Sequence, residues 1–161
     1  MAEQRAIVWR TDVSPNRLGR LLAGDTLSGA GATFVVGNNQ GAEMVKCQPV
    51  YVSGPGHISL ARADMLVTAR VVGLVASDTI ANGDPGNVQV VGELVATTGQ
   101  WDAVTGQTGG LTPAANYYLS NTDSGMLTTT PPSSGVNIQV GTANDTTKMV
   151  IDLKPLIKLR A

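Results

Sequence analysis

The stretch PVYVSGPGHISLAR, residues 49–62, reads as a strand, a Gly-Pro-Gly turn and a second strand. β-Branched and aromatic residues favour a pleated, half-buried surface, and Gly and Pro supply the turn. In HISLA (57–61) apolar side chains fall on every second position, so one face is apolar. A second stretch, NYYLSNTDSGMLTTT (116–130), follows the same plan. Tyr51-Val52-Ser53 falls on Tyr118-Leu119-Ser120. With one more residue in the turn, Ile58-Ser59-Leu60 falls on Met126-Leu127-Thr128, and Val72-Gly73 then falls on Val140-Gly141. VVGEL (90–94) and MVIDL (149–153) close the two halves.

Each half therefore reads as four strands, about eight in all. The segment TTGQWDAVTG (97–106) joins them and is expected to make a short helical turn with Trp101 inward. The match reads as an internal duplication, although two hairpins of similar chemistry would also look alike. TFVVG, VKCQPVYV, LVTARVVGLV, NVQVVGELVAT, VNIQVGTA and KMVIDL read as further strands, bounded by SGPG, ANGDPGN, NTDSG and ANDTT turns. The expected fold is all-β, a compact β-barrel or β-sandwich. Within the second hairpin, alternation sends Tyr117 and Tyr118 to opposite faces. Pro131-Pro132 end the pairing, because proline has no N–H for a ladder. The threonine-lined stretch 109–132 is expected to pack on neighbours or face solvent, and not to form a pocket.

Residues 1–30 differ from the body, 31–161. They hold Trp9, a Ser14-Pro15-Asn16 turn signal and a Gly-rich run, with no sustained period. They read as an extended N-terminal arm that orders against something else. RLGRLLA (17–23) is expected to form at most one helical turn. The alternative is a solvated tail.

Charge is sparse and uneven. Of 161 residues 14% are charged, against about 25% in ordinary soluble domains, and the net charge is −1. No Lys or Arg occurs between Arg70 and Lys148, whereas Arg5, Arg10, Arg17 and Arg20 lie in the arm and Lys148, Lys154, Lys158 and Arg160 near the other end. That pattern carries no overall footprint for nucleic acid and no polybasic membrane signal. No apolar run approaches the roughly 20 residues of a membrane span, and MAEQRAIVWR lacks the apolar stretch of a signal peptide.

The catalytic inventory is thin. His57 is the only histidine and Cys47 the only cysteine. A lone histidine has no second imidazole for a metal site, and Cys47 in an apolar alternating run reads as a small buried hydrophobe. There is no phosphate loop, and GAGATF (29–34) lacks the third glycine and the preceding strand of a dinucleotide fingerprint. ANGDPGN and SNTDSG offer too few oxygens for Ca²⁺ and read as plain turns. No catalytic, metal or cofactor-binding residue is singled out. A small β-barrel hydrolase or lyase is therefore disfavoured against a binding or structural protein.

The order PVYVSGPGHISLARAD, VVGLV, GNVQVVGEL, TTGQWDAVTGQTGGLTPAANYYLSNTDSGMLTTTPP, VGTANDTTKMVIDL resembles the β-rich head decoration (cement) proteins of tailed bacteriophages, a module that also recurs in phage fibres. The resemblance covers about Gln48 to Leu156. It implies a homotrimeric β domain on the outer capsid surface of the virion, made in the bacterial cytoplasm, with the major capsid protein as partner and no cofactor. Trp9, Arg10, Arg17 and Arg20 are the expected capsid-interface residues, since Trp and Arg dominate interface hot spots. The other reading is a tail-fibre or baseplate module that binds a host-surface glycan. The sequence contains no heptad run or shaft repeat, which favours the head.

Overall fold

The computed structural model describes residues 32–159 and the backbone of residues 7–10 and 17–20. The strands in chain order are β1 (Ile7–Arg10), β2 (Arg17–Arg20), β3 (Thr33–Asn38), β4 (Met44–Val45), β5 (Pro49–Gly54), β6 (His57–Leu60), β7 (Val71–Val75), β8 (Thr79–Ile80), β9 (Pro85–Gln89) and β10 (Gly92–Val95). One helix among the described residues, α1 (Thr98–Thr105), follows. Then come β11 (Asn116–Leu119), β12 (Leu127–Thr128), β13 (Val136–Asn137), β14 (Gln139–Ala143), β15 (Lys148–Ile151) and β16 (Ile157–Lys158). The all-β expectation holds.

The body is built from one five-strand plan used twice. In the first repeat the pairing order is β6-β5-β7-β9-β3, and in the second it is β12-β11-β14-β15-β10. The registers agree pair for pair. Pro49, Val50 and Tyr51 face Leu74, Gly73 and Val71, with a bulge between Val50 and Tyr51. Asn116, Tyr117 and Tyr118 face Thr142, Gly141 and Gln139, with the bulge between Tyr117 and Tyr118. Leu74 and Val75 face Gln89 and Val88, as Thr142 and Ala143 face Val150 and Met149. Phe34 and Val35 face Val88 and Asn87, as Leu94 and Val95 face Met149 and Lys148.

Finer details recur as well. Among the described residues, Cys47 (φ 73°) and Ala114 (φ 62°) are the two non-glycines in the left-handed region. Each stands two residues before the second strand of its repeat. Each donates its N–H to the equivalent carbonyl, Val75 or Ala143, at 2.9 Å. A small side chain limits the steric cost of that conformation. Gly73 and Gly141 are also equivalent. A Cβ on either would collide with the carbonyl oxygen of the facing strand, Gln89 or Val150.

The repeat legible in the sequence is therefore real in the structure, but two of its equivalences move. Val52 faces Ile58 and Leu119 faces Leu127, so Ile58 matches Leu127 and not Met126. The counterpart of β15 is β9. VVGEL does not end the first half; its Gly92 begins β10, the first strand of the second. The run NVQVVGELVAT is two strands, and the repeats contain ten strands where about eight were expected. The apolar-acidic-Leu pattern misleads because neighbouring strands of one sheet bury the same side-chain types.

The repeats differ in how they close. In the first, β3 also pairs in parallel with β6, Gly37 with His57 and Asn38 with Ile58, and the sheet becomes a barrel. In the second, the residues equivalent to Gly37 and Asn38 are Thr97 and Thr98, where the chain enters α1. Thr97 and Gln100 form a capping box: Thr97 Oγ1 accepts from Gln100 N (3.2 Å) and Gln100 Oε1 accepts from Thr97 N (2.9 Å). Two otherwise unpaired donors are satisfied, which favours helix over continued strand. Gly106 ends the helix with φ 67°, a conformation glycine adopts without penalty. The helix carries Trp101 and Val104 into the core, both fully buried. This is the inward Trp101 expected from the sequence.

Six buried residues of the barrel core have buried counterparts. Val36, Met44, Val50, Ile58, Val75 and Val88 match Ala96, Leu111, Tyr117, Leu127, Ala143 and Met149. Valine gives way to alanine at two positions in the cluster that admits Trp101. The second core also takes Cys47, Val71 and Leu74 from the first repeat, so the two repeats share apolar packing. Tyr117 is fully buried and Tyr118 half-buried, as alternation requires.

The arm residues fall on β1 and β2, which pair antiparallel with Trp9 opposite Leu18, Arg10 opposite Arg17 and Ile7 opposite Arg20. RLGR is therefore strand, correcting the helical turn expected there. Cross-strand pairing overrides a weak local helix preference.

Candidate interaction surfaces

The apolar triplet Met65-Leu66-Val67 stands out on the surface, 56%, 42% and 64% exposed. The sequence reading placed Leu66 and Val67 at the start of a strand, but β7 begins only at Val71. Residues 63–69 are instead a braced turn. Asp64 Oδ2 meets Arg62 Nη2 at 2.5 Å, and Asp64 Oδ1 accepts from Thr68 Oγ1 at 2.9 Å. Ala69 N donates to Met65 O (3.0 Å) and Arg62 N to Thr68 O (3.1 Å). Hydrogen bonding to Arg62 and Thr68 holds the Asp64 carboxyl below its usual range despite some desolvation. Ala61, Ala63 and Ala69 are fully buried and root the loop. Ala63 also donates to Ser120 O and accepts from Val136 N, both at 2.8 Å. Gly135 passes so close beneath Ala63 that a Cβ there would strike its carbonyl oxygen. The spacing Asp64-x-x-x-Thr68 beside Arg62 was the available signal for this turn. The neighbouring valines hid it.

A second apolar feature lies on the outer sheet faces. Val35 and its counterpart Val95 are both exposed, as are Val91 and Val150. Val95 faces Lys148 and Val150 faces Glu93, so the two valines are diagonal neighbours.

A cleft of about 490 Å³ opens where the end of α1 approaches β12. Thr105 and Gly106 form one side. Met126, Leu127, Thr128, Thr130, Pro131 and Pro132 form another, and Ser120 to Asp123 cap it. This corrects the expectation that the threonine-lined stretch makes no pocket. The hairpin is as expected; the concavity arises because the second repeat does not close. A smaller cleft of about 350 Å³ lies at the junction of the repeats, where Asp78 meets Lys46 Nζ (3.4 Å) and Gln100 Nε2 (3.3 Å).

The acidic residues serve local structure. Asp102 accepts from Gly109 N (3.1 Å) and Gly110 N (2.7 Å), fixing the Gly-Gly turn after α1. Asp145 accepts from Thr147 N and Oγ1, which lowers its pKa. Among the described residues no group of three or more His, Cys, Asp or Glu side chains is placed to hold a metal. No helix among them is long and apolar enough to cross a membrane. His57 is exposed at the start of β6 and lies against Gly37. Side chains of Trp9, Arg10, Arg17 and Arg20 lie outside the described residues, and only their backbone pairing is given.

Cys47 is fully buried, and desolvation pushes its thiol up to about 12. Raised burial and a protonated thiol both suppress nucleophilicity. A thiol reagent is expected to label Cys47 in the native protein about a hundredfold or more slowly than in the unfolded chain. The unfolded thiol ionises near 9.0 while the folded one stays protonated. The unfolded state then binds fewer protons, so stability is full below about pH 9 and falls as pH rises toward 12. Cys47→Ala should remove that alkaline loss at a cost of about 1 kcal/mol, since Ala114 already occupies the equivalent backbone position. Urea unfolding of both proteins at pH 7 and pH 10 checks this.

No model of a known protein family matches the chain, and no curated protein is significantly similar to it.

Proposed function

We propose that this protein is a non-enzymatic virion structural protein that binds the outer surface of a tailed-phage capsid and stabilises the head by bridging major capsid subunits. The observation that carries the reading is the braced loop Arg62–Arg70, which presents Met65, Leu66 and Val67 to the outside. An apolar tip already held in one shape loses little conformational freedom on docking. Contiguous exposed apolar side chains favour a protein partner over water. The resemblance of residues 48–156 to decoration proteins supplies the kind of partner. A homotrimer matches three-fold positions on a shell, and three simultaneous attachments give avidity from modest single contacts. The arm, with Trp9, Arg10, Arg17 and Arg20, reaches across the seam between subunits.

The test is co-sedimentation with undecorated expanded capsids. Saturation near one chain per major capsid subunit is the expected result. Leu66→Asp should leave thermal unfolding nearly unchanged while weakening attachment at least about tenfold, because a carboxylate would then be buried in an apolar contact. Removing residues 1–30 should leave the body folded and also weaken attachment. If the wild-type protein does not pellet with heads, the shell reading fails; a few to a few dozen copies per virion would then place it on the tail.

A further inference from the structure

The first repeat displays what the second lacks. In the barrel, Ile58 O accepts from Asn39 N at 3.0 Å, and Leu60 N donates to Gln40 Oε1 at 2.8 Å. These groups lie on the edge of β6 that β3 covers in parallel. The equivalent edge in the second repeat belongs to β12. Ser120 N donates to Met126 O and Leu119 N donates to Ile138 O. The β11–β12 ladder is therefore made through residues 118 and 120 with 128 and 126. By antiparallel alternation, the N–H and C=O of Leu127 and the N–H of Thr129 point away from β11. None of them has a hydrogen-bond partner among the described residues. Leu127 is only 2% exposed and lines the 490 Å³ cleft. Unpaired backbone groups at a nearly buried position cost on the order of 1–3 kcal/mol each, so this edge is built to be covered.

The occupant is also in the chain. β1 and β2 form a two-stranded sheet whose outer edges are free among the described residues. An isolated two-stranded ribbon is marginal in water and is stabilised by a further strand. The β1 sequence, Ile-Val-Trp-Arg, is β-branched, aromatic and basic. The single charged residue lining the cleft is acidic, Asp123. Residues 21–31 tether the ribbon to the body and span about 36 Å when extended, more than twice the radius of gyration of about 14 Å expected for a body of this size. We infer that β12 binds β1 from a second copy of this chain as an added strand, parallel to β12 as β3 is to β6. The cleft is thus a receptor for the neighbour's arm, and copies are linked arm to seam. This rests on the fold alone and not on the shell reading.

Disulfide trapping in the full-length chain tests it. Adjacent strands bring Cα atoms within disulfide range. With Cys47→Ala as background, one tagged chain carries Val8→Cys or Trp9→Cys and a differently tagged chain carries Thr129→Cys. Mild oxidation of the mixture should give a cross-linked heterodimer at least about tenfold more abundant than with Thr79→Cys on the first repeat. Two further full-length variants guard the result. Thr129→Pro removes an outward N–H that β11 does not use, and Asp123→Lys reverses the cleft charge. Each should keep the far-ultraviolet spectrum and cut the cross-link, with the trapping cysteine at Thr129 for Asp123→Lys and at Asn121 for Thr129→Pro. Absence of the heterodimer overturns the proposal. A cross-link that forms only within one chain, in a doubly substituted protein, overturns the assignment to a neighbour.

Discussion

Gly73→Ala and Gly141→Ala are each expected to cost about 3 kcal/mol, a large effect for adding one methyl group. Neither glycine needs a left-handed backbone, so conformational strain is not the cause. At both positions the facing strand's carbonyl oxygen occupies the place a Cβ would take, Gln89 O for Gly73 and Val150 O for Gly141. Behind it lie Val88 and Met149, both fully buried. The strands would have to separate, and the ladder bonds of β7 to β9 or β14 to β15 would lengthen with them. Val72→Ala, next to Gly73 and half-buried, is the control and should cost far less. Urea unfolding of the three variants measures the difference. Equal stability of Gly73→Ala and wild type would mean that the close approach is not real.

Trp101→Ala is expected to be at least as damaging, about 3–5 kcal/mol. The indole is fully buried among residues of the second core, and its Nε1 donates to Thr147 O at 2.9 Å. In the first repeat β3 runs on beside β6; in the second the chain turns into α1, which carries this side chain into the core. Truncation leaves a cavity, and Thr147 O, in the turn before β15, keeps only the hydrogen bond from Ala96 N (3.0 Å). Trp101→Phe retains most of the volume but removes one of the two hydrogen bonds to Thr147 O, and should lose about 1 kcal/mol. The ordering wild type, Phe, Ala in denaturant midpoint is the outcome to look for. A Phe variant as unstable as Ala would show that the indole hydrogen bond, and not volume, dominates.

Much of this architecture is legible in the sequence. Alternation and turn residues place both hairpins, and Tyr117 and Tyr118 divide between core and surface as a strand requires. The repeat is visible because Tyr51 and Tyr118, and Gly73 and Gly141, occupy positions with the same steric demand. What is not legible depends on distant partners. Whether the sheet closes is decided by β3 meeting β6 across about 20 residues of chain, and by a two-residue capping box that turns Thr97 away from the strand path. The exposed apolar loop was hidden for a related reason. Leu66 and Val67 have strand propensity, but the Arg62–Asp64–Thr68 hydrogen bonds hold them in a turn. The cleft follows from the open seam, so it could not be read from the residues that line it.

The sharing of Cys47, Val71 and Leu74 with the second core bears on cooperativity. Two five-stranded units joined by the two residues Val90 and Val91 would, if independent, each have its own melting step. They are not separable in that way. Side chains of the first unit complete the apolar interior of the second, so loosening one exposes the other's core to water. The body is expected to unfold as one foldon with two internal copies of a plan, in a single calorimetric transition.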